Sequence, residues 1–359
     1  MELNSKYMRT EEKVIFALRE LYTKYGYVQF KMSKFEEYDL YVRNKDFLVS
    51  DSVITFNDTN GKLLALKPDV TLSIIKNSTD DESVVQKLYY NENVYRISKN
   101  THSFKEIMQT GLECIGAINT YNICEVLTLA AKSLSAISDN YVLDLSHMGL
   151  ISSVLDGICE ETKNLILKYI SEKNTHDLVS LCEKENIESK IITSLVAVSG
   201  NAREIKEKLS QIPFPESSNE ALSEIYELAD VLKELPECEH IQFDFSIIND
   251  MNYYSGIVFK GYIEGIPTGI LAGGRYDLLM NKMGKQSAAI GFAVYLDFLE
   301  RFMEEEKEYD TDILQLYSDT DSISSVLSTV SPLTAQGNRV QAEKCVPENL
   351  KYKTLLRFE

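Results

Sequence analysis

Apolar positions recur along this chain at two different spacings, and each spacing predicts a different kind of element. Residues 10–25 carry apolar side chains at helical intervals, from Val14 to Tyr25. This pattern predicts a helix that Thr10 caps and Gly26 ends. A helical pattern is also predicted over residues 121–137.

Short runs of alternating or β-branched residues predict strands. Asn60-Gly61 lies between two such runs and is a strong hairpin signal, because both residues tolerate the positive φ of the tight turn. Further strands are predicted over residues 84–97, 108–117, 141–150, 241–248, 253–263 and 269–274.

Residues 151–235 show helical patterns without strand alternation, which predicts a helical insertion. A further helix is predicted over residues 291–305. The remainder has a strand-helix-strand pattern that is too short for a full α/β domain. We therefore predict an α+β fold whose mostly antiparallel sheet is flanked by helices. Its predicted divisions are a core of residues 1–150 and 236–305, the insertion 151–235, and an α/β remnant 306–359.

Composition narrows the class of protein. The chain has 359 residues, 44% of them apolar, and a net charge of −18 that repels nucleic acid. The acidic surface serves either solubility or a partner protein. The sequence contains no apolar run that is long enough to predict a membrane span, so we expect a cytoplasmic protein. Its six cysteines lack zinc-site spacing and are predicted to be reduced thiols, so we predict no metal and no cofactor.

Five segments carry a more specific signal because of their order. In that order they read KPDVT (67–71), YRISKNTHSFKEIMQTGLECIG (95–116), NYYSGIVF (252–259), AGGRYDLL (272–279) and AAIGFAVYLDFLERF (288–302). Together they resemble the catalytic domain of histidyl-tRNA synthetase, a class II aminoacyl-tRNA synthetase, across roughly residues 10–305. The resemblance implies the fold of that class.

One group of positions suits the binding of histidine. Gln109, Gly111 and Glu113 are two residues apart, so a strand would point all three into one cleft. The resemblance implies that Asp69 binds the α-ammonium group and that Glu113 faces the imidazole. The remaining histidine-binding residues that it implies are Thr71, Arg96, Gln109, Tyr253, Tyr254, Gly273, Gly274 and Tyr276.

A structural reading of the same residues stays open at this stage. The tyrosines suit a hydrophobic core, Gly273-Gly274 suits a turn at the end of a strand, and Arg275 suits a local ion pair with Asp277. Glu113 is harder to explain in this way, because a buried carboxylate is costly unless a polar pocket surrounds it.

A second group of positions has lost the residues that adenylate formation requires. Phe298 stands where the third synthetase motif has an arginine, and Asn249 stands at the family's catalytic arginine. Ser98 and Asn252 replace two acidic residues. Positive charge placed at the reacting phosphates contributes roughly 3 kcal/mol or more for each group. We therefore predict no catalytic residues and no aminoacylation activity.

A synthetase-like chain with a histidine pocket and without ATP chemistry resembles the regulatory subunits of ATP phosphoribosyltransferase. The resemblance implies a non-catalytic subunit that enables the first step of histidine biosynthesis and mediates feedback. The implied partners are the short-form catalytic subunit, a second copy of the chain within a hetero-oligomer, and L-histidine as effector. The alternatives are an active histidyl-tRNA synthetase and a free-standing histidine-binding paralog.

Overall fold

The structure is a computed structural model that describes residues 8–44, 53–81, 83–97, 103–248, 253–302 and 308–357. The chain forms two compact units, Met1–Met303 and Glu304–Glu359. Within the described residues, no helix is both long and apolar enough to cross a membrane. All six cysteines are free, and four of them are buried.

A nine-stranded sheet forms the centre of the first unit as described, with the strand order β1-β5-β6-β12-β11-β10-β7-β9-β8. Its pairs are antiparallel except β1 with β5 and β7 with β9. The mostly antiparallel α+β fold is thus confirmed. The strands of this unit, including three that form a separate small sheet, are β1 (Val28–Gln29), β2 (Phe35–Glu37), β3 (Thr55–Asn57), β4 (Leu63–Leu66), β5 (Gln86–Ile97), β6 (Phe104–Gly116), β7 (Tyr141–His147), β8 (Ser199–Asn201), β9 (Ile241–Asp244), β10 (Ile257–Ile263), β11 (Leu271–Arg275) and β12 (Ala288–Tyr295).

Helices cover this sheet and account for most of residues 148–232. Among the described helices, α4 (Thr120–Ser135) has the most buried residues, and the Asn119 side chain caps it by accepting a hydrogen bond from the Asn122 amide. The helices are α1 (Thr10–Lys24), α2 (Tyr38–Arg43), α3 (Thr71–Asn77), α4 (Thr120–Ser135), α5 (Met148–Val154), α6 (Glu160–Ser171), α7 (Thr175–Lys184), α8 (Lys190–Ala197), α9 (Ile205–Ser210), α10 (Asn219–Leu232), α11 (Asp277–Lys282) and α12 (Asp297–Phe302).

The two faces of the sheet have different surroundings because side chains alternate along each strand. On β6, Leu112 and Cys114 point into the larger apolar cluster, which includes α1 and α4. Ile115 points the opposite way, into a smaller cluster that α3 and α11 help to form. Glu113 shares that second face with Ile115, so a carboxylate lies on the side of the sheet with the thinner apolar cover.

The hairpin predicted at Asn60-Gly61 is present and joins β3 to β4. Gly61 has a φ of 80°, which glycine adopts without steric cost. The Asp58 carboxylate accepts hydrogen bonds from the Asn60 and Lys62 amides and so closes the turn. Strand β2 pairs with the other edge of β4 to complete the small antiparallel sheet.

Local predictions were wrong at several places. Residues 291–305 were predicted as one helix, but residues up to Tyr295 form β12, because hydrogen bonds to β6 on one edge and β11 on the other place this segment inside the sheet. Residues 151–235 were predicted to lack strands, yet β8 pairs with β9 at the sheet edge. Thr10 is the first helical residue of α1, and Arg9 occupies the cap position.

The second unit contains a three-stranded parallel sheet and one helix among its described residues. Strand β13 lies in the centre, between β14 and β15. The last strand was absent from the predicted strand-helix-strand pattern. The elements are β13 (Thr311–Leu316), α13 (Ile323–Ala335), β14 (Val340–Glu343) and β15 (Tyr352–Arg357).

Candidate functional site

A cavity of about 330 Å³ lies on the sheet face that carries Glu113. This volume is at the lower end of the range typical of small-molecule sites. Its lining combines charged groups, tyrosines and small residues from β5, β6, β10, β11 and β12, from the start of α3, and from the segments that precede β10 and α11. The lining residues are Asp69, Val70, Thr71, Tyr90, Arg96, Gln109, Glu113, Tyr253, Tyr254, Lys260, Ala272, Gly273, Tyr276, Gly291, Phe292, Ala293 and Tyr295.

Small residues lie side by side on neighbouring strands, and they leave free volume above the sheet. They form the floor of the cavity. In register across the sheet, Gly111 lies beside Ala293, and Ala293 lies beside Ala272. Two residues further along β6, on the same face of the sheet, Glu113 lies beside Gly291. A Cβ atom on Gly291 would lie 1.7 Å from Glu113 Oε2, so glycine at this position leaves room for the carboxylate.

Glu113 is the most deeply buried acidic residue of the cavity, with 2% of its surface exposed. The Thr71 hydroxyl donates to Oε1 over 2.9 Å, and the Tyr276 hydroxyl donates to Oε2 over 2.5 Å. Burial raises the pKa of Glu113 to about 8, although these two hydrogen bonds favour the ionised form. The carboxyl group is therefore held in place and changes its charge near neutral pH.

Asp69 forms a second acidic position, on the segment that leads into α3. Its Oδ1 accepts a hydrogen bond from the Leu72 amide, and burial raises its pKa although nearby Arg96 opposes the shift. Arg96 is itself oriented by a 3.0 Å hydrogen bond from its Nε to the Pro68 carbonyl. The segment is anchored by fully buried Lys67, whose Nζ lies 2.5 Å from the Glu92 carboxylate.

Three tyrosines form an aromatic wall beside Glu113. The ring centroids of Tyr253 and Tyr254 are 4.5 Å apart, and those of Tyr253 and Tyr276 are 5.9 Å apart. Gly274 lies behind this wall, because a Cβ atom there would be 2.7 Å from the Tyr254 ring. Gly273-Gly274 therefore belongs to strand β11 and allows close packing, and it does not form a turn.

All of the predicted histidine-binding residues except Gly274 line the cavity. The alternative ion pair also exists: Arg275 Nε lies 2.7 Å from Asp277 Oδ2. The sequence reasoning missed Lys260 and Tyr295. A lysine within the apolar strand IVFKGYI was the available signal for Lys260, whereas Tyr295 was hidden by the incorrect helix prediction.

Phe298 has a different environment from the cavity residues. It is half-buried on α12, is packed against the larger apolar cluster, and does not line the cavity. Its ring lies edge-on to Tyr295, with 6.5 Å between centroids. The position of the synthetase arginine is thus part of the apolar packing. Ser98, Asn249 and Asn252 lie outside the described residues.

The described residues contain no cluster of three or more His, Cys, Asp or Glu side chains that could hold a metal ion. The cavity instead presents two carboxyl groups, two basic side chains and an aromatic wall. This combination suits a small zwitterion that carries a polar ring.

Comparisons with known proteins identify the relatives of this chain. A family model described as Histidyl-tRNA synthetase matches residues 1–299. An ATP phosphoribosyltransferase regulatory subunit from Caldanaerobacter subterraneus subsp. tengcongensis is 31% identical over 291 residues, which cover 78% of this chain and 75% of that protein. The chain belongs to the family of ATP phosphoribosyltransferase regulatory subunits. The predicted family is confirmed, and its members are named as regulatory subunits of an enzyme complex.

Solved structures share the fold of this chain. One is an ATP phosphoribosyltransferase regulatory subunit/histidyl-tRNA synthetase from Bacillus halodurans C, with a TM-score of 0.78, 21% identity and 99% coverage of both chains. Another is a chain of the ATP phosphoribosyl transferase (HisG:HisZ) complex from Thermotoga maritima. It has a TM-score of 0.63 and 19% identity, and the match covers 80% of this chain and 97% of that one. These likenesses confirm the synthetase-like fold.

Proposed function

We propose that this regulatory subunit binds L-histidine in the Glu113 cavity and transmits its occupancy to a short-form catalytic subunit of ATP phosphoribosyltransferase. In this role it enables the first step of histidine biosynthesis and limits that step when histidine accumulates. The named relatives and the fold shared with a chain of the HisG:HisZ complex support the choice of partner.

The single observation that carries the proposal is the contrast between Glu113 and Phe298. The Glu113 carboxylate is buried, held by two hydroxyl groups and open to the cavity. Phe298 offers no charge to a nucleotide and is packed against the apolar cluster. The chain therefore retains polar groups suited to an amino acid, whereas position 298 offers no group suited to the phosphates of ATP.

The chemistry of histidine fits the Glu113 end of the cavity. A carboxyl group with a pKa of about 8 lies within two units of an imidazole, so the two groups share a proton readily near neutral pH. The ring then lies against the wall formed by Tyr253, Tyr254 and Tyr276. Asp69, at the same end, suits the α-ammonium group.

Regulation requires that histidine binds two states of the complex with different affinities. In a synthetase, part of the binding free energy would be used in chemistry. Here none of it is used in chemistry, so histidine can shift the assembly between an active and an inhibited state by up to the difference between its binding free energies for the two. A tenfold difference in affinity between the states corresponds to about 1.4 kcal/mol.

Two measurements test the proposal. Titration calorimetry with L-histidine should show saturable binding, and reconstitution with a short-form catalytic subunit should produce activity that histidine lowers. Failure to bind or to activate that subunit would refute the regulatory role and leave the free-standing histidine-binding paralog. Histidine-dependent pyrophosphate exchange would instead support the alternative of an active synthetase.

Several expectations accompany this proposal and stay predictions. They are the division into a core (1–150 and 236–305), an insertion (151–235) and a remnant (306–359), self-dimerisation within a hetero-oligomer, a cytoplasmic location and the lack of nucleic-acid binding. Size-exclusion chromatography with light scattering would test the oligomeric state.

A further inference from the structure

Lys260 forms the far boundary of the small-residue floor of the cavity. It lies on β10, where it is in register with Ala272 of β11 on one side and with Asp144 of β7 on the other. Gly111, Ala293 and Ala272 precede it in the same cross-sheet row. No large side chain of this row separates Lys260 from the Glu113 end, and Lys260 lines the cavity.

The ammonium group of Lys260 lacks a counterion within the described part of the chain. Asp144 is its neighbour across the strands, but no nitrogen–oxygen distance of 4 Å or less joins the two side chains. Burial lowers the pKa of Lys260, as expected for a half-buried cation that forms no close ion pair. An anionic ligand would supply the missing counterion.

Arg96, the other cation of the cavity, already has partners. Its Nε donates to the Pro68 carbonyl, and its charge acts on Asp69 and on Tyr295. Arg96 therefore helps to form the surroundings of Asp69. Lys260 remains available to a ligand and approaches it from the opposite side of the floor.

We infer that Lys260 binds the carboxylate of the amino acid in this cavity and so makes the site selective for a zwitterion over an amine. This inference rests on the proposed function, because it adds a specificity residue to the same histidine site. It assigns each end of the ligand to a separate part of the cavity.

The sheet geometry gives room for this arrangement. Glu113 and Lys260 lie three strands apart and two residues out of register, which corresponds to roughly 16 Å between their backbones. The Lys260 side chain, the Glu113 side chain and one amino acid of the size of histidine together span such a distance. The imidazole would then lie at Glu113 and the carboxylate at Lys260.

A second cavity adjoins Lys260 and offers a competing explanation. Its lining includes Asp144, Asp244 and Lys173, and Lys173 Nζ lies 2.8 Å from the Asp244 carboxylate. In that explanation Lys260 only balances the charge of these two acids. Its removal would then act on protein stability and would affect all ligands of the first cavity equally.

Calorimetric titration with two ligands separates these explanations. L-histidine carries a carboxylate, and histamine has the same ring and amine without it. Lys260→Met should lower the affinity for L-histidine by roughly 10- to 100-fold, since a hydrogen bond to a charged group is lost, and should leave histamine affinity within about twofold. Lys260→Arg should retain most of the preference. Lys353→Met, which removes an exposed strand lysine of the second unit, is the matched control for net charge.

Thermal unfolding of each variant establishes that it is folded, and Lys260→Gln replaces Lys260→Met if the apolar side chain prevents folding. Equal losses for both ligands, or unchanged affinity for L-histidine, would overturn the inference while leaving the histidine site intact. A wild-type protein that binds neither ligand would instead overturn the proposed function, and this inference with it.

Discussion

Two regions correspond to the two parts of a synthetase site: the Glu113 end of the cavity to the histidine part, and α12 with Phe298 to the ATP part. They differ in what they contribute to folding. Around Glu113, a buried carboxylate, two hydroxyl donors and Asp69 occupy space that apolar side chains could fill at lower cost. Around Phe298, the side chain adds to an apolar cluster. Stability explains the α12 end but not the Glu113 end. A ligand therefore best explains the retained polar residues.

The largest expected effect is a pH dependence of stability that originates at Glu113. Its pKa is about 8 in the folded protein against an ordinary value of 4.5, so the folded state binds more protons between these values. The associated stability is fully present below about pH 4.5 and is lost as the pH rises towards 8. The upper bound of this loss is roughly 5 kcal/mol. Chemical denaturation at pH 5 and pH 8 measures it.

Glu113→Gln provides the control for this prediction, because the amide has nearly the same shape and does not ionise. The variant should lose less stability than the wild type between the two pH values. Identical losses would show that Glu113 titrates as an ordinary carboxylate, and the contrast between the two ends of the site would then weaken.

The next largest effect concerns the ligand. Glu113→Ala should weaken the binding of L-histidine by at least roughly tenfold, because the imidazole loses the group with which it shares a proton and the Thr71 and Tyr276 hydroxyls lose their acceptor. Titration calorimetry measures the change. An unchanged affinity would contradict the assignment of the imidazole to this end of the cavity.

The sequence predicted the Glu113 end better than the α12 end for a physical reason. Alternation along β6 determines that Gln109 and Glu113 share a face, and this rule needs no knowledge of neighbouring strands. The same local reasoning found the hairpin at Asn60-Gly61. For residues 291–295, spacing alone favoured a helix, and only pairing with β6 and β11 makes the segment a strand.

Lys260 shows the limit of such reasoning. Its strand can be predicted from IVFKGYI, but the residues beside it come from β7 and β11, which are distant in sequence. Whether a lone lysine points to solvent or into a cavity depends on these pairings. Composition and spacing contain no information about them, whereas the motif resemblance located Asp69 and Tyr276 without any knowledge of the register.

Phe298→Arg tests whether the α12 end can regain the lost charge. We expect pyrophosphate exchange to stay at background, because the side chain at this position is packed against the apolar cluster and Asn249 still replaces a second arginine. The charge should also lower the free energy of unfolding by roughly 1–3 kcal/mol. Phe298→Leu, which keeps an apolar side chain, should cost less. Measurable exchange would show that the residue at position 298 alone accounts for the lost ATP chemistry.

The smallest expected effect concerns a single hydroxyl group. Thr71→Val removes one of the two donors to Glu113 at nearly constant volume, which should cost about 1 kcal/mol, or roughly fivefold in histidine affinity. It should also raise the pKa of Glu113, because that hydrogen bond favours the ionised form. A double-mutant cycle with Tyr276→Phe measures the coupling of the two donors. Strict additivity would mean that they act on separate features, since two hydroxyls that orient one carboxylate should be coupled.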